Sequence, residues 1–130
     1  MHINIYMIFL DNLYTIVSTP EESAETVRFQ IRLNADSVIF KAHFPGEPIM
    51  PGACIVQMVQ ELFSVWTKRE VEIAKIVNLK FLSVIKPDEV LDLDVAIKIK
   101  KEEDQQVHIN ADIVKDETTY TKMSLLLHTL

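Results

Sequence analysis

Residues 43–52 hold the clearest candidate chemistry of this chain. They read His-Phe-Pro-Gly-Glu-Pro-Ile-Met-Pro-Gly, and they contain both glycines and three of the five prolines. Proline fixes φ, and glycine permits positive φ and the close approach of another group. The pattern therefore predicts a rigid, shaped loop around His43. With an ordinary pKa near ~6.5, a histidine can be neutral and basic at pH 7; the alternative is a histidine that only caps the loop.

A helix is predicted to follow this loop over residues 53–68, with Pro51 and Gly52 at its start. Apolar residues recur at helical spacing on one side: Ile55, Val59, Leu62, Phe63 and Trp66. Polar residues occupy the other side: Gln57, Gln60, Glu61 and Ser64. One polar stripe on an otherwise apolar helix predicts a buried helix whose stripe faces something specific. The N–H groups at the start of such a helix could polarise a carbonyl oxygen.

The ten residues from His43 to Gly52 resemble the signature of the FabZ-like 3-hydroxyacyl-acyl-carrier-protein dehydratases of fatty-acid synthesis. That resemblance implies an α+β hot-dog fold, in which a curved antiparallel sheet wraps around one long central helix. A weaker resemblance covers residues 80–93, where the family's Pro-Gly-Asp turn is replaced by Pro87-Asp88-Glu89. The rest of the chain matches only in length and pattern.

The resemblance also implies the site. The family's catalytic pair is the motif histidine, here His43, and a helix glutamate in the run Glu-Ala-Met-Ala-Gln. Counted from Pro51-Gly52, the glutamate position holds Gln57, so the acid is replaced by an amide. Phe44, Pro45, Gly46, Pro51, Gly52 and Glu61 are then expected to contact the substrate. The expected partner is acyl-carrier protein, whose phosphopantetheine arm carries the substrate; no other cofactor and no metal is implied.

Dehydration of a 3-hydroxyacyl thioester needs a base, a group that stabilises the enolate-like oxygen, and an acid. His43 suits the first role, and the N–H groups near Gly52 suit the second. Gln57 can hold a hydroxyl or a water, but an amide has no proton to give at a useful pKa. Glu61, one turn further along the helix, could supply the acid; the alternative is an ordinary solvated or interface glutamate.

The composition limits the function classes. The 130 residues are expected to form a single domain, 1–130, with a formal charge of −6 that makes nucleic-acid binding unlikely to be the function. One cysteine cannot form an internal disulfide, and no apolar run is long enough to span a bilayer. The apolar start, residues 1–10, lacks a basic n-region and a cleavage site, so we interpret it as structure. The expected location is the cytoplasm.

The remaining chain is rich in strand patterns. Residues 25–33 and 89–101 alternate between apolar and polar, as half-buried antiparallel strands do. Further strands are predicted over 13–18, 73–84, 106–115 and 118–127, with polar turns at 19–23, 34–37 and 101–104. One sheet over one helix leaves apolar surface exposed, so a homodimer or an oligomer of dimers is expected. The resemblance implies that the histidine and the helix residue of one site come from different chains.

Three functions stay open at this point. The first is dehydration of 3-hydroxyacyl thioesters on acyl-carrier protein to trans-2-enoyl thioesters. The second is hydrolysis by a hot-dog thioesterase, although such relatives usually use a helix carboxylate. The third is a non-catalytic subunit that binds acyl-carrier protein beside an active homologue, because an amide in place of the acid keeps the pocket and removes the proton donor.

Overall fold

The computed structural model describes residues 7–42 and 46–130, and within them it shows seven strands and two helices. In chain order these are β1 (Tyr14–Ile16), β2 (Glu21–Glu22), β3 (Thr26–Leu33), α1 (Val38–Ala42), α2 (Gly52–Thr67), β4 (Val71–Phe81), β5 (Asp92–Glu103), β6 (Gln106–Lys115) and β7 (Thr118–Thr129).

The strands form one antiparallel sheet in the order β1-β3-β5-β6-β7-β4, with β2 also paired to β3. Each long central strand buries every second side chain, because successive side chains of a strand point to opposite faces. In β3 these buried residues are Val27, Phe29, Ile31 and Leu33. The alternation predicted from sequence for this strand is confirmed.

Helix α2 provides the other half of the core. Its residues 54–56 and 58–64 are buried, which confirms the predicted buried helix. The helix begins after Pro51, whose φ of −64° and ψ of 144° are extended. It ends at Lys68, whose left-handed backbone lets its N–H donate to Ser64 O at 2.8 Å. A sheet that packs its apolar face on one long helix is the arrangement that the resemblance implied.

The structure corrects three local predictions and adds helix α1 over residues 38–42, for which no element was predicted. Glu21 and Glu22, expected in a turn, pair with β3 as a short strand. The turn expected at 101–104 lies later, because β5 runs to Glu103 and Asp104 takes a φ of 56°. Strand β4 ends at Phe81, earlier than predicted.

Strand β4 lies at one end of the sheet. It pairs with β7, and within residues 7–42 and 46–130 no strand pairs with its other edge. Several large apolar side chains on and after this strand are exposed: Ile76, Val77, Phe81, Leu82 and Val84. No helix of the described residues has both the length and the hydropathy needed to cross a membrane.

Candidate active site

A cavity of about 380 Å³ lies between the start of helix α2 and strand β4. The helix contributes Gly52, Ala53, Val56 and Gln57, and the strand contributes Ile73, Ile76, Leu79 and Phe81. The strand side is entirely apolar, whereas the helix side carries one polar side chain, that of Gln57. The cavity can therefore hold an apolar chain and place one polar group of that chain beside Gln57.

The first turn of helix α2 borders this cavity through Gly52 and Ala53. The N–H groups of Cys54 and Ile55 both donate to Pro51 O, at 3.0 and 3.2 Å. The N–H groups of Gly52 and Ala53 find no acceptor in the part of the chain that the structure describes. Two unpaired donors at the positive end of a helix dipole stabilise negative charge that develops on a nearby oxygen.

The ring of Phe81 packs directly on Gly52. A Cβ added at Gly52 would lie 2.6 Å from Cζ of Phe81, so the ring takes the space that only a glycine leaves. This contact keeps the strand close to the helix start. Glycine permits this close approach of the ring, and its φ at this position is not in the left-handed region.

The loop before the helix is fixed to the segment between β4 and β5. Met50 N–H donates to Ile85 O at 2.9 Å, and Lys86 Nζ donates to Glu47 Oε1 at 3.1 Å. Gly46 is exposed and has a φ of +89°, which a residue with a Cβ rarely adopts. Glu47 is exposed.

Gln57 is held by the residue one helical turn beyond it. Its Nε2 donates to Oε2 of Glu61 at 3.0 Å. Glu61 itself is only 1% exposed, so it is not a solvated side chain, and that interpretation of it is wrong. The sequence placed it on a polar stripe, and a polar stripe on a helix ordinarily faces water.

The Glu61 carboxylate accepts from three further donors, all in the segment before β3. Oε2 accepts from Phe9 N–H at 3.1 Å, and Oε1 accepts from Leu10 N–H at 2.9 Å and from Tyr14 Oη–H at 3.0 Å. A carboxylate has about four acceptor positions, so these four contacts use its capacity. Glu61 therefore reaches the cavity through Gln57, and the structure gives it no direct position on a substrate.

Tyr14 shows the electrostatic effect of this buried carboxylate. Burial, and then the negative charge of Glu61 together with the hydrogen bond to it, raises the pKa of Tyr14 far above its ordinary value. The phenol therefore stays protonated and remains a donor. Another residue of the polar stripe, Gln60, also has a hydrogen-bond partner: its Nε2 donates to Val71 O at 2.7 Å.

A family comparison identifies the chain's relatives. The model of the ApeI-like dehydratases (ApeI dehydratase) matches residues 19–123, most of the chain. The chain belongs to the ApeI-like dehydratase family. The 3-hydroxyacyl-acyl-carrier-protein dehydratase FabZ of Fusobacterium nucleatum is 29% identical over 87 residues, which are 62% of this chain and 62% of that protein. FabZ of Pediococcus pentosaceus is 33% identical over 69 residues, 48% of this chain and 46% of that protein.

The chain thus spans less than two thirds of the length of these curated relatives. Solved structures share the fold of this ApeI-like chain. The dehydratase heterocomplex ApeI:P from Xenorhabdus doucetiae matches with a TM-score of 0.68 at 19% identity, over 85% of this chain and 94% of that one. A putative thioesterase from Lactococcus lactis matches with a TM-score of 0.66 at 11% identity, over 98% of both chains. The hot-dog fold is confirmed; at these identities the neighbours do not choose between the two activities.

The ApeI-like site contains part of the set that the sequence predicted. Gly52 and Gln57 line one cavity. Pro51 directly precedes Gly52 in the chain, and Glu61 contacts Gln57. Gly46 lies in the loop and does not line the cavity. His43, Phe44 and Pro45 lie outside the described residues, so the roles assigned to them stay predictions.

The sequence reasoning missed the strand wall of the cavity and the donors to Glu61. The apolar residues of β4, especially Ile73, Ile76 and Leu79, were assigned to an ordinary strand. The sequence carried no signal for this wall, because the exposure of Ile76 and Phe81 shows only in the fold. Cys54 is a small buried residue of the core, and burial raises the pKa of its thiol.

The other face of the sheet and the acidic, histidine and cysteine side chains form no second site among the described residues. A larger hollow of about 610 Å³ lies on the outer face of the sheet, where charged residues of β3, β5, β6 and β7 line it. It is far from α2 in the fold, since the helix covers the other face of the sheet. No cluster of three or more His, Cys, Asp or Glu side chains among residues 7–42 and 46–130 is placed to hold a metal ion.

Proposed function

We propose that this protein dehydrates 3-hydroxyacyl thioesters carried on acyl-carrier protein to trans-2-enoyl thioesters, in the synthesis of fatty acids or related acyl chains. The observation that carries the proposal is that two unpaired N–H donors, those of Gly52 and Ala53, share an apolar cavity with the amide of Gln57. A thioester carbonyl at the N–H groups would place its acyl chain along Ile73, Ile76 and Leu79.

The proposed reaction breaks two bonds of the substrate. His43 takes the proton from Cα, and the N–H groups of Gly52 and Ala53 stabilise the charge that moves onto the thioester oxygen. The electron pair then returns to form the Cα–Cβ double bond while the Cβ–O bond breaks. The hydroxyl leaves as water after it takes up the proton that His43 holds. Gln57 orients that hydroxyl, because its amide cannot supply a proton.

A second copy of the chain completes the proposed site. The edge of β4 is unpaired within the described residues, and its apolar side chains Ile76, Val77 and Phe81 are exposed next to the cavity. A second β4 beside this edge would cover those side chains and continue the sheet. His43 of one copy would then serve the cavity that contains Gln57 of the other. The substrate's phosphopantetheine arm would enter along this border.

A second candidate function is supported by Gln57 itself. An amide stands where the resembled dehydratases have a carboxylic acid, and the dehydratase ApeI:P of Xenorhabdus doucetiae is a heterocomplex. This chain would then be the non-catalytic subunit of such a pair. It would bind acyl-carrier protein and the acyl chain, and a different chain would supply the acid.

The deciding experiment measures turnover of a short 3-hydroxyacyl thioester on acyl-carrier protein by the purified protein, with the enoyl thioester and the free thiol as separate readouts. Enoyl product that disappears in His43→Ala supports the dehydratase. Free thiol without enoyl product supports a thioesterase instead. Binding of the acyl-carrier protein with neither product supports the non-catalytic subunit.

A further inference from the structure

We propose that Glu61 is a positioning residue that fixes the side-chain amide of Gln57 in one of its two orientations. The inference rests on the proposed function, because it concerns the group that contacts the substrate hydroxyl. It assigns Glu61 no contact with the substrate and no proton transfer. Its effect passes through the 3.0 Å hydrogen bond between Gln57 Nε2 and Glu61 Oε2.

The orientation follows from what each group can do. A carboxylate only accepts hydrogen bonds, whereas an amide presents an acceptor oxygen at one position and a donor NH₂ at the other. An amide beside a carboxylate must therefore turn its NH₂ toward it, since the reverse would bring two oxygens to hydrogen-bond distance. The carbonyl oxygen of Gln57 is thereby directed to the side away from Glu61. The cavity receives Gln57 in a single, reproducible orientation.

The carboxylate is itself held from the other side. Leu10 N–H and Tyr14 Oη–H donate to Oε1, and Phe9 N–H donates to Oε2. Two of these donors belong to the backbone, so no side-chain rotation removes them. With Glu61 almost fully buried, the carboxylate cannot exchange these partners for water. The segment from Phe9 to Tyr14 and the cavity are thus linked by one side chain.

The isosteric substitution Glu61→Gln tests this role. An amide at position 61 must place its NH₂ against one pair of donors: Phe9 N–H with Gln57, or Leu10 N–H with Tyr14. The first case is favoured, because Gln57 lines the cavity and can turn over to accept, whereas the buried Tyr14 hydroxyl would lose its acceptor in the second case. The NH₂ of Gln57 then points the other way. We expect kcat to fall about 10-fold or more through misplacement of the hydrogen-bonding group, with KM changed less than about twofold.

Two variants separate positioning from folding. Val59→Ala removes buried volume from the same helix without touching the cavity or the Glu61 contacts, so it is the control for stability alone. In Gln57→Glu combined with Glu61→Gln, the pair is reversed and the hydrogen bond is kept with donor and acceptor exchanged. The carboxylate at position 57 could itself donate a proton, so the reversed pair is compared with Gln57→Glu alone. A positioning pair should give the double variant the higher kcat, whereas an added acid alone would raise kcat equally in both.

The readout that does not depend on turnover is the side-chain amide resonance of Gln57, assigned by its loss in Gln57→Ala. In the unmodified protein a fixed NH₂ should give two well separated proton resonances whose protons exchange slowly with solvent. Glu61→Gln should abolish both the separation and the slow exchange. If Gln57 shows averaged, fast-exchanging amide protons in the unmodified protein, the inference is overturned even when Glu61→Gln does not fold. The inference is also overturned if the kcat of Glu61→Gln stays within about twofold of the kcat of Val59→Ala. Changes at uncoupled positions differ by about that factor. If the unmodified protein has no dehydratase turnover, the proposed function fails, and the amide resonance alone decides this inference.

Discussion

Gln57 and Glu61 form an amide–carboxylate pair along one face of helix α2, with Gln57 Nε2 donating to Glu61 Oε2 at 3.0 Å. The resembled dehydratases carry a glutamate and a glutamine in the run Glu-Ala-Met-Ala-Gln, and here the two residue types are exchanged. The charge therefore lies one turn, ~5–6 Å, deeper along the helix. It lies away from the cavity and among donors of the N-terminal segment. Substitutions that place the carboxylate at position 57, or exchange the two residue types, therefore test this contact directly.

Gln57→Glu alone is expected to create a pair of carboxylates at hydrogen-bond distance. Two like charges so close and partly buried cannot both ionise, so the pKa of one member rises well above its ordinary value near ~4.3. Because the folded state then binds a proton that the unfolded state has released, stability falls as pH rises from about 4 through the raised pKa. Urea unfolding at several pH values should show this negative slope as a difference between Gln57→Glu and the unmodified protein.

The matched control for that experiment is the reversed pair, Gln57→Glu with Glu61→Gln. It carries one carboxylate, so its stability should follow the pH dependence of the unmodified protein. A Gln57→Glu variant whose unfolding free energy is the same at acid and neutral pH would contradict the contact between the two residues.

Tyr14→Phe is expected to lower the free energy of unfolding at neutral pH by about 1.5–3 kcal/mol, the range for a hydrogen bond to a charged group. The phenol donates to Glu61 Oε1 in a buried position. The raised pKa of Tyr14 adds a pH effect. Above about pH 10 the unfolded phenol ionises while the folded one stays protonated, so the unmodified protein loses stability with rising pH.

Denaturant unfolding between neutral and strongly alkaline pH measures both effects. Tyr14→Phe should reduce the alkaline loss of stability, and Tyr120→Phe, at a partly buried tyrosine outside this network, should leave it unchanged. Equal behaviour of the two variants would count against the Tyr14–Glu61 hydrogen bond.

The sequence predicted the elements whose environment is set by local pattern. The alternation in β3 and the apolar stripe of α2 each require one buried face, and both were correctly assigned. The turn at Pro87–Glu89, which the resemblance implied, is also present, with hydrogen bonds from Glu89 and Val90 N–H to Lys86 O. These features depend on residues a few positions apart.

The role of Glu61 was not accessible in the same way. Its donors at Phe9, Leu10 and Tyr14 lie about fifty positions earlier in the chain. Helix periodicity shows that a residue shares a polar stripe, but it does not show whether that stripe meets water or a folded-back segment. The wall of the cavity from β4 was missed for the same reason, because strand and helix meet only through the tertiary fold.

Gly52→Ala is expected to reduce kcat/KM about 10-fold while leaving the unfolding free energy within about 1 kcal/mol, because alanine favours the helix. The new Cβ would lie 2.6 Å from Cζ of Phe81, so the ring must move. Phe81 is 53% exposed, so a shift of its ring meets solvent on one side, and that shift displaces one wall of the cavity. Steady-state kinetics and urea unfolding on the same samples separate the two effects.

The control is the same substitution in a Phe81→Ala background. With the ring absent, Gly52→Ala should change kcat/KM by less than about twofold, since the two positions act on each other through one contact. An equal loss in both backgrounds would show that Phe81 does not carry the effect.

Val77→Lys is expected to convert the proposed dimer to a monomer. Val77 lies in edge strand β4 and is 48% exposed, and a lysine on an edge strand opposes the approach of another strand. Because the proposed site takes His43 from one copy and Gln57 from the other, dehydratase turnover should fall together with the dimer fraction. Sedimentation velocity measures the oligomer, and Thr15→Lys in β1, at the opposite edge of the sheet, is the matched control. If Val77→Lys stays dimeric while Thr15→Lys dissociates, the interface lies at the β1 edge, and the cavity of one chain must obtain its base from within that chain.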